Sequence, residues 1–459
     1  MTQQKEWTKQ APRLILAATH SGSGKTMLTI GLLAAYRRMG LTLSAFKCGP
    51  DYIDPMFHSR VLGIPSRNLD GYFTDEATTQ ALFAQAAAPA EGLSLIEGVM
   101  GYFDGVASTL QGSACELADT LEAPVVLVID TAGMSLSAAA ELQGFLNFHR
   151  PSRIAGVIFN RTTVGVYETL RPLVEEMGVR ACGYLPRLKD MELPSRHLGL
   201  VTPDQIQDLR TYTDRLADAL METVDLEAIL ALARDVSPIR WRESELPHLS
   251  KGLNISVARD EAFCFLYEDN LAYLEKIGGA CQFFSPLHDA ALPQNTDVLL
   301  LPGGYPELYG KQLSENTAMR AAIYKALADG IFVLAECGGF LYLTRAIQDM
   351  GGCSYPMVGR IDTEGVRGEK LQRFGYVELT EADDPGGNQW IRGHEFHYYD
   401  TDQNGMCFIA KKPHSDRSWL CMHVSDHELI GFPHLYYYSN PLFLYERLEG
   451  YLQTREHGQ

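Results

Sequence analysis

Short runs of Val, Ile and Leu recur through the first part of the chain, at 13–18, 42–47, 94–97, 124–130 and 154–159. Longer stretches separate them, with apolar side chains at every third or fourth position. An unbroken apolar run such as PVVLVID (124–130) suits a strand covered on both faces of a parallel sheet, since a half-solvated strand would alternate. MLTIGLLAAYRRM (27–39) carries its apolar residues at helical spacing and stops at Gly40. Residues 203–235 read as helices with a mixed surface. A charged, Pro-containing stretch, SPIRWRESELPHLSKG (237–252), then interrupts the rhythm. Beyond it the strand–helix alternation restarts with NISVA (254–258), CQFFS (281–285), DVLLL (297–301) and IFVLA (331–335). The pattern predicts an α/β chain with one domain over 10–236, a linker over 237–252 and a second domain over 253–459. Neither an internal repeat nor a low-complexity segment is visible.

Composition narrows the class. At 459 residues, 46% hydrophobic and 21% charged, the chain has room for two or three ordinary globular domains. A formal net charge of −18 argues against broad nucleic-acid binding and serves solubility. MTQQKEWTKQ (1–10) lacks the apolar centre of a secretory signal, and no apolar run approaches the length of a membrane span. Nine cysteines stand singly, with no C-x-x-C pair, which fits a reducing cytoplasm better than a disulfide framework or zinc knuckle.

The first chemistry lies in ILAATHSGSGKTMLTI (15–30), a strand, a small polar loop and a helix. The usual phosphate-loop spelling asks for glycine at 19, where this chain has Thr19. The working parts survive. Gly22 and Gly24 allow the tight turn, Ser23 lies between them, and the helix near Lys25 adds its positive end. Lys25 would reach the outer phosphates, and Thr26 would offer its hydroxyl to Mg²⁺. KCGPDYIDP (47–55) places Asp51 and Asp54 where a strand ends at the sheet's binding edge, to hold Mg²⁺ or a substrate. A plain Gly-Pro-Asp turn is the alternative. LIEGVMGYFDG (95–105) repeats the design with Glu97, a candidate metal partner, and Asp104, which an Asp-Gly turn also explains. GVIFNR (156–161) ends on Asn160, whose amide suits a purine edge or a helix cap.

In the second half, LLLPGGYPELY (299–309) and LAECGGFLYL (334–343) are both strand–turn–helix signatures. Cys337 on such a turn is expected to be exposed, with its thiol acidified by the helix N-terminus. Backbone N–H groups at Gly304 and Gly338 would cradle an oxyanion. The base expected is His434 in GFPHLYYYSNP (431–441), with His394 and His397 of RGHEFHYY (392–399) as competitors. Taken singly, any of these histidines, or the cysteine, also reads as a structural residue.

Taken together, SGSGKT, KCGPDYIDP, RNLDGYF, IEGVMGYFDG, VARDEAFCFLY, FFSPL, LPGGYPELY, ECGGFLYL, GHEFHY and HLYYYSNP resemble the cobyrinic acid a,c-diamide synthase family over about residues 14–441. The resemblance implies a P-loop, parallel-sheet domain similar to dethiobiotin synthetase, followed by a flavodoxin-like class I glutamine amidotransferase domain. It implies that ATP phosphorylates the a and c acetate side chains of a tetrapyrrole polycarboxylate in turn, and that ammonia from glutamine displaces the phosphate. Cys337 then resembles the glutaminase nucleophile and His434 its base. Thr26 and Glu97 resemble Mg²⁺ ligands, and Asp51 lies near the metal or the substrate carboxylate. Asp104 resembles a residue of the acyl-phosphate site, and Asn160 the residue that reads adenine. One departure is visible. Many class I glutaminases read His-x-Glu, whereas position 436 is Tyr436, so a Cys–His dyad is expected with an unassigned orienting group.

Within the family the macrocycle is cobyrinic acid, ranked first on general likeness, or else hydrogenobyrinic acid or Ni-sirohydrochlorin. A motor-like P-loop ATPase with an inert second domain is the distant rival; His20 stands where such switches commonly have a second lysine. Small molecules are the expected partners, with neither nucleic acid nor membrane, and a homodimer is compatible with this reading.

Overall fold

The computed structural model describes residues 6–188, 209–242 and 245–457. The chain divides into two compact units, Met1–Ser244 and Glu245–Gln459.

The first unit contains strands β1 (Glu6–Lys9), β2 (Arg13–Ala18), β3 (Leu43–Cys48), β4 (Ser66–Leu69), β5 (Leu93–Glu97), β6 (Val125–Asp130), β7 (Ile154–Asn160), β8 (Arg180–Leu185) and β9 (Ile239–Arg242). Its helices are α1 (Lys25–Arg38), α2 (Ile53–Arg60), α3 (Glu76–Ala86), α4 (Ala114–Thr120), α5 (Ser137–Phe148), α6 (Val164–Glu176), α7 (Leu209–Thr223) and α8 (Leu226–Arg234). Seven strands form one parallel sheet in the order β4-β3-β5-β2-β6-β7-β8. The five strands expected here are present, and their unbroken apolar runs are buried on both faces as the pattern required. The edge strands β4 (SRNL) and β8 (RACGYL) were not legible, because Arg, Asn and Gly interrupt their apolar character. β9 falls inside the Pro-containing stretch at 237–252 and pairs antiparallel with β1. Of the helical stretch expected over 203–235, α7 and α8 account for 209–234, while 203–208 lie outside the described residues.

Chain order decides where a ligand can sit. From central β2, the neighbours β5 and β6 lie on opposite sides, so their connections leave the sheet in opposite directions. A crevice opens at the C-terminal ends of these strands. The loops after β2, β3, β5 and β7 all end there.

The second unit is built on β10 (Leu253–Ala258), β11 (Phe263–Phe265), β12 (Gly279–Phe284), β13 (Val298–Leu301), β14 (Gly303–Gly304) and β15 (Phe332–Glu336), with α9 (Glu268–Lys276), α10 (Gly310–Glu315), α11 (Thr317–Ala328), α12 (Gly338–Leu343) and α13 (Pro441–His457). Its main sheet runs β12-β10-β13-β15, then strands Glu428–Gly431 and His423–Ser425. All pairs are parallel except the last. The order of the first five strands is the flavodoxin-like one. A second, five-stranded antiparallel sheet contains Arg373–Glu381, Trp390–His397, Phe408–Lys411, Ser418–Cys421 and His434–Leu435. Nothing in the sequence pattern had separated it from the α/β rhythm.

One buried charge fastens the entry to β2. Arg13 is 1% exposed, and its guanidinium donates to the carbonyls of Ala11, Leu121 and Ser237, tying the strand to the end of α4 and to the chain before β9. Arg13→Met keeps the apolar bulk and leaves three carbonyls without that donor. It is expected to destabilise the unit by about 3 kcal/mol, seen as a lower urea midpoint. An unmoved midpoint would mean these bonds contribute no more than water does.

Candidate active sites

The phosphate-type loop joins β2 to α1 at the crevice. Two of its residues need a left-handed backbone, and both are glycine: Gly22 at φ 85° and Gly24 at φ 94°. Thr19 needs no such conformation, so the missing glycine carries no penalty. Gly24 is also the N-cap residue of α1. A Cβ there would collide with the side-chain amide of Asn160 at the end of β7. That amide donates to the Ser23 carbonyl at 2.8 Å, while its oxygen accepts from the Arg161 N–H at 2.9 Å. Asn160 thus braces the loop, with one N–H and one lone pair to spare. Lys25 is largely buried, and its ammonium donates to the carbonyls of His20 and Met100. Burial first, and repulsion from Lys47 second, bring it down to about 8.

Facing the loop, a cluster of charges closes the floor. Lys47 and Glu97 are register partners on β3 and β5, and Leu16 of β2 is the partner of Glu97 on its other side. Glu97 is fully buried; its Oε1 accepts from the Thr26 hydroxyl at 2.6 Å and the Lys47 ammonium at 3.0 Å. Lys47 also pairs with Asp54 and approaches Asp51 to 3.9 Å. Asp51 caps its own turn by accepting from the Ile53 N–H at 2.8 Å. Burial, then the charge of Asp54, pushes the Glu97 carboxyl up to about 7 against the pull of Lys47. Burial acts likewise on Asp54, yet Lys47 outweighs it and holds that carboxyl at about 2. Burial would depress Lys47, but the three carboxylates keep it well above the ordinary lysine range. A cavity of about 600 Å³ spans the loop, Lys47, the acids and Asn160.

Thr26, Asp51, Asp54, Glu97, Lys25 and Asn160 therefore line one crevice. Asp104 lies on the adjoining loop, its carboxylate accepting from the Gly101 N–H at 3.0 Å, which is the turn arrangement. Lys47 was missed. The available signal was a lone lysine near the end of an otherwise apolar strand, two residues before Gly-Pro-Asp. The donor set fits a divalent cation: the oxygens of Thr26 and Glu97 lie side by side, and Glu97 Oε2 is buried with no hydrogen-bond partner among the described residues.

In the second unit, Cys337 follows β15 and is the N-cap of α12. Its backbone is strained, at φ 46° and ψ −102°, and its N–H donates to the Gly431 carbonyl at 2.8 Å. The glycines around it permit a close approach. A Cβ at Gly339 would run into the Leu301 carbonyl, and one at Gly338 would stand 3.0 Å from the Gly304 nitrogen. Gly304 and Gly338 are thus neighbours beside the thiol-bearing turn. His434, 2% exposed, belongs to the strand that pairs with Trp390–His397, opposite His394. Its ring lies against Gly303, where any Cβ would collide with it, and stacks on His394 at 4.9 Å between centroids.

Two expectations are corrected. Cys337 is not exposed but 6% accessible, and its thiol is not acidified. Burial pushes it well above the usual range, aided by Glu307 and Glu395, and the bond from the Gly338 N–H does not compensate. The competitor histidines also separate. His397 has both ring nitrogens engaged, with the Tyr399 carbonyl at 2.6 Å and Glu395 at 3.0 Å. His394 is held far below the ordinary imidazole range by burial and by His434. Glu336 was missed: its carboxylate lies 3.8 Å from His434 Nδ1.

Residues 14–201 match the CobQ/CobB/MinD/ParA nucleotide binding domain, and residues 254–415 match the CobB/CobQ-like glutamine amidotransferase domain. Two curated relatives are both named cobyrinate a,c-diamide synthase. That of Caldanaerobacter subterraneus subsp. tengcongensis is 37% identical over 433 residues, covering 93% of this chain and 95% of its own. That of Clostridium acetobutylicum is 38% identical over 442 residues, covering 94% and 98%.

The loop geometry separates its two glycines. Gly22→Ala meets no atom and suffers only the left-handed strain, about 1–2 kcal/mol. Gly24→Ala adds the collision with Asn160. It is expected to weaken binding of a fluorescent nucleotide analogue at least about tenfold more than Gly22→Ala does. Equal losses would contradict the brace.

Proposed function

The chain belongs to the cobyrinate a,c-diamide synthase family, and on that premise we propose that it amidates the a and c acetate side chains of cobyrinate, using ATP and glutamine. A carboxylate is a poor electrophile until its oxygen is phosphorylated. Ammonia is mostly protonated, and so non-nucleophilic, in neutral water. The two units answer these two problems, one by forming an acyl phosphate and the other by releasing NH₃ from glutamine.

In the first unit, Gly22, Ser23, Gly24 and the start of α1 hold the phosphates by backbone N–H groups. Lys25 leaves its carbonyl partners for the γ-phosphoryl oxygens, and Asn160 offers its remaining N–H and lone pair to adenine. Thr26, Glu97 and Asp51 are the residues that would hold Mg²⁺, which supplies charge neutralisation to the transferring phosphoryl group. Lys47 fixes Glu97 and balances the acids. Asp54 and Asp104 border the place where a substrate carboxylate must lie. That carboxylate attacks the γ-phosphorus and ADP departs. Ammonia then attacks the acyl carbon, and phosphate leaves with the former carboxylate oxygen.

In the second unit, His434 takes the proton of Cys337, and the thiolate attacks the carboxamide carbon of glutamine. Gly304 and Gly338 offer N–H groups to the oxyanion, and His434 returns its proton to the amide nitrogen, which departs as NH₃. Water hydrolyses the thioester to glutamate. The raised thiol suits this order. Cys337 stays neutral until glutamine and His434 are in place, rather than standing as a free thiolate.

The observation that carries the proposal is the convergence of Thr26, Lys47 and Glu97 beside a phosphate-type loop in a chain that also bears the Cys337 turn. A panel of cobyrinate, hydrogenobyrinate and Ni-sirohydrochlorin followed by mass spectrometry tests it. Two ATP-dependent carboxyl-to-amide conversions are expected on cobyrinate. Cys337→Ala should abolish the reaction with glutamine and retain it with ammonium. No amidation of any of the three macrocycles would overturn the proposal, and conversion of another one alone would reassign the substrate.

A further inference from the structure

We infer that Glu336, the residue directly before the nucleophile, is the carboxylate that positions His434, in the place that His-x-Glu sequences give to a residue two positions after the histidine. This rests on reading Cys337 and His434 as the glutaminase pair, and it deepens that reading.

Residue 436 cannot serve. It is Tyr436, and its hydroxyl donates to Asp269 at 3.2 Å while its ring packs edge-on against Tyr267 at 5.2 Å. The Glu336 side chain instead runs from the end of β15 toward His434. Its Oε2 is 3.8 Å from His434 Nδ1, and its Oε1 accepts from the Leu435 N–H at 3.3 Å. One carboxylate therefore engages both the imidazole and the peptide group that follows it. Around the ring, His394 stacks on one face, Phe265 stands edge-on at 6.2 Å and Gly303 lies beneath.

The arrangement has a mechanical consequence. Glu336 and Cys337 share one peptide bond, so the strained turn that fixes the thiol also fixes the group that orients its base. With Nδ1 directed at Glu336, Nε2 is the nitrogen assigned here to accept the thiol proton. The imidazolium then formed lies beside a buried anion, where Coulomb attraction is strong. The separation of 3.8 Å is longer than a hydrogen bond, and a movement of under about 1 Å closes it, as is common when substrate tightens a resting site.

Glu336→Gln and Glu336→Asp in the full chain test this. Gln keeps the shape and an oxygen for the Leu435 N–H but removes the charge. Glutamate release should fall about 10²-fold or more in kcat, with the KM for glutamine held within about twofold and ammonium-driven amidation held within about twofold. Asp restores the charge on a shorter arm and should recover about tenfold over Gln. Full glutaminase activity in Glu336→Gln would overturn the inference. So would equal losses with both nitrogen donors, which mark a purely structural residue. If the unsubstituted protein releases no glutamate, the glutaminase reading itself fails.

Discussion

The first unit turns on a buried ammonium. Lys47 is 6% exposed and stands among Asp51, Asp54 and Glu97 at the C-terminal edge of a parallel sheet. An isolated charge at that depth would be lost by proton release, and three unpaired carboxylates would repel one another. Together they hold. The pairing joins β3 to β5 and, through the Thr26–Glu97 hydrogen bond, fixes the first turn of α1 against β5. The phosphate-type loop, whose helix is pinned this way, therefore owes its position to side chains as much as to its glycines.

That cluster also explains why strong acids can line a phosphate site. Glu97 is pushed up to about 7 and Asp54 is held at about 2, so equivalent carboxyl groups in one cavity have separate proton affinities. The second unit follows the same topological rule with different chemistry. The Cys337 turn again lies where a parallel strand ends, but strain replaces charge: Cys337 stands at φ 46° and is followed by the close-packed Gly338 and Gly339. There Glu336 lies 3.8 Å from the imidazole of His434.

Much of this was legible beforehand, for physical reasons. Doubly buried strands such as VVLVID have no solvated face and so no alternation, and a Gly-x-Gly-Lys-Thr turn between a strand and a helix leaves few other uses. The edge strands β4 and β8 escaped because an edge tolerates Arg, Asn and Gly. The antiparallel sheet of the second unit escaped because its strands are half-exposed and carry charged side chains. Among site residues, Lys47 and Glu336 were hidden by the same circumstance. Each sits at or near the end of an apolar strand, and its value comes from a partner fifty or more positions away: Glu97 for one and His434 for the other. The expectation of an exposed, acidic Cys337 failed because a six-residue helix cannot outweigh burial and nearby carboxylates.

The central claim is that the charge cluster serves transfer of a phosphoryl group to a carboxylate. Its most direct test is isotopic: cobyrinate labelled with heavy oxygen in its peripheral carboxylates, turned over with ATP and glutamine, followed by mass analysis of the phosphate released. An acyl phosphate requires one labelled oxygen to appear in inorganic phosphate for each amide formed. Amide formation with unlabelled phosphate, or with the label carried into a nucleotide, would contradict the account.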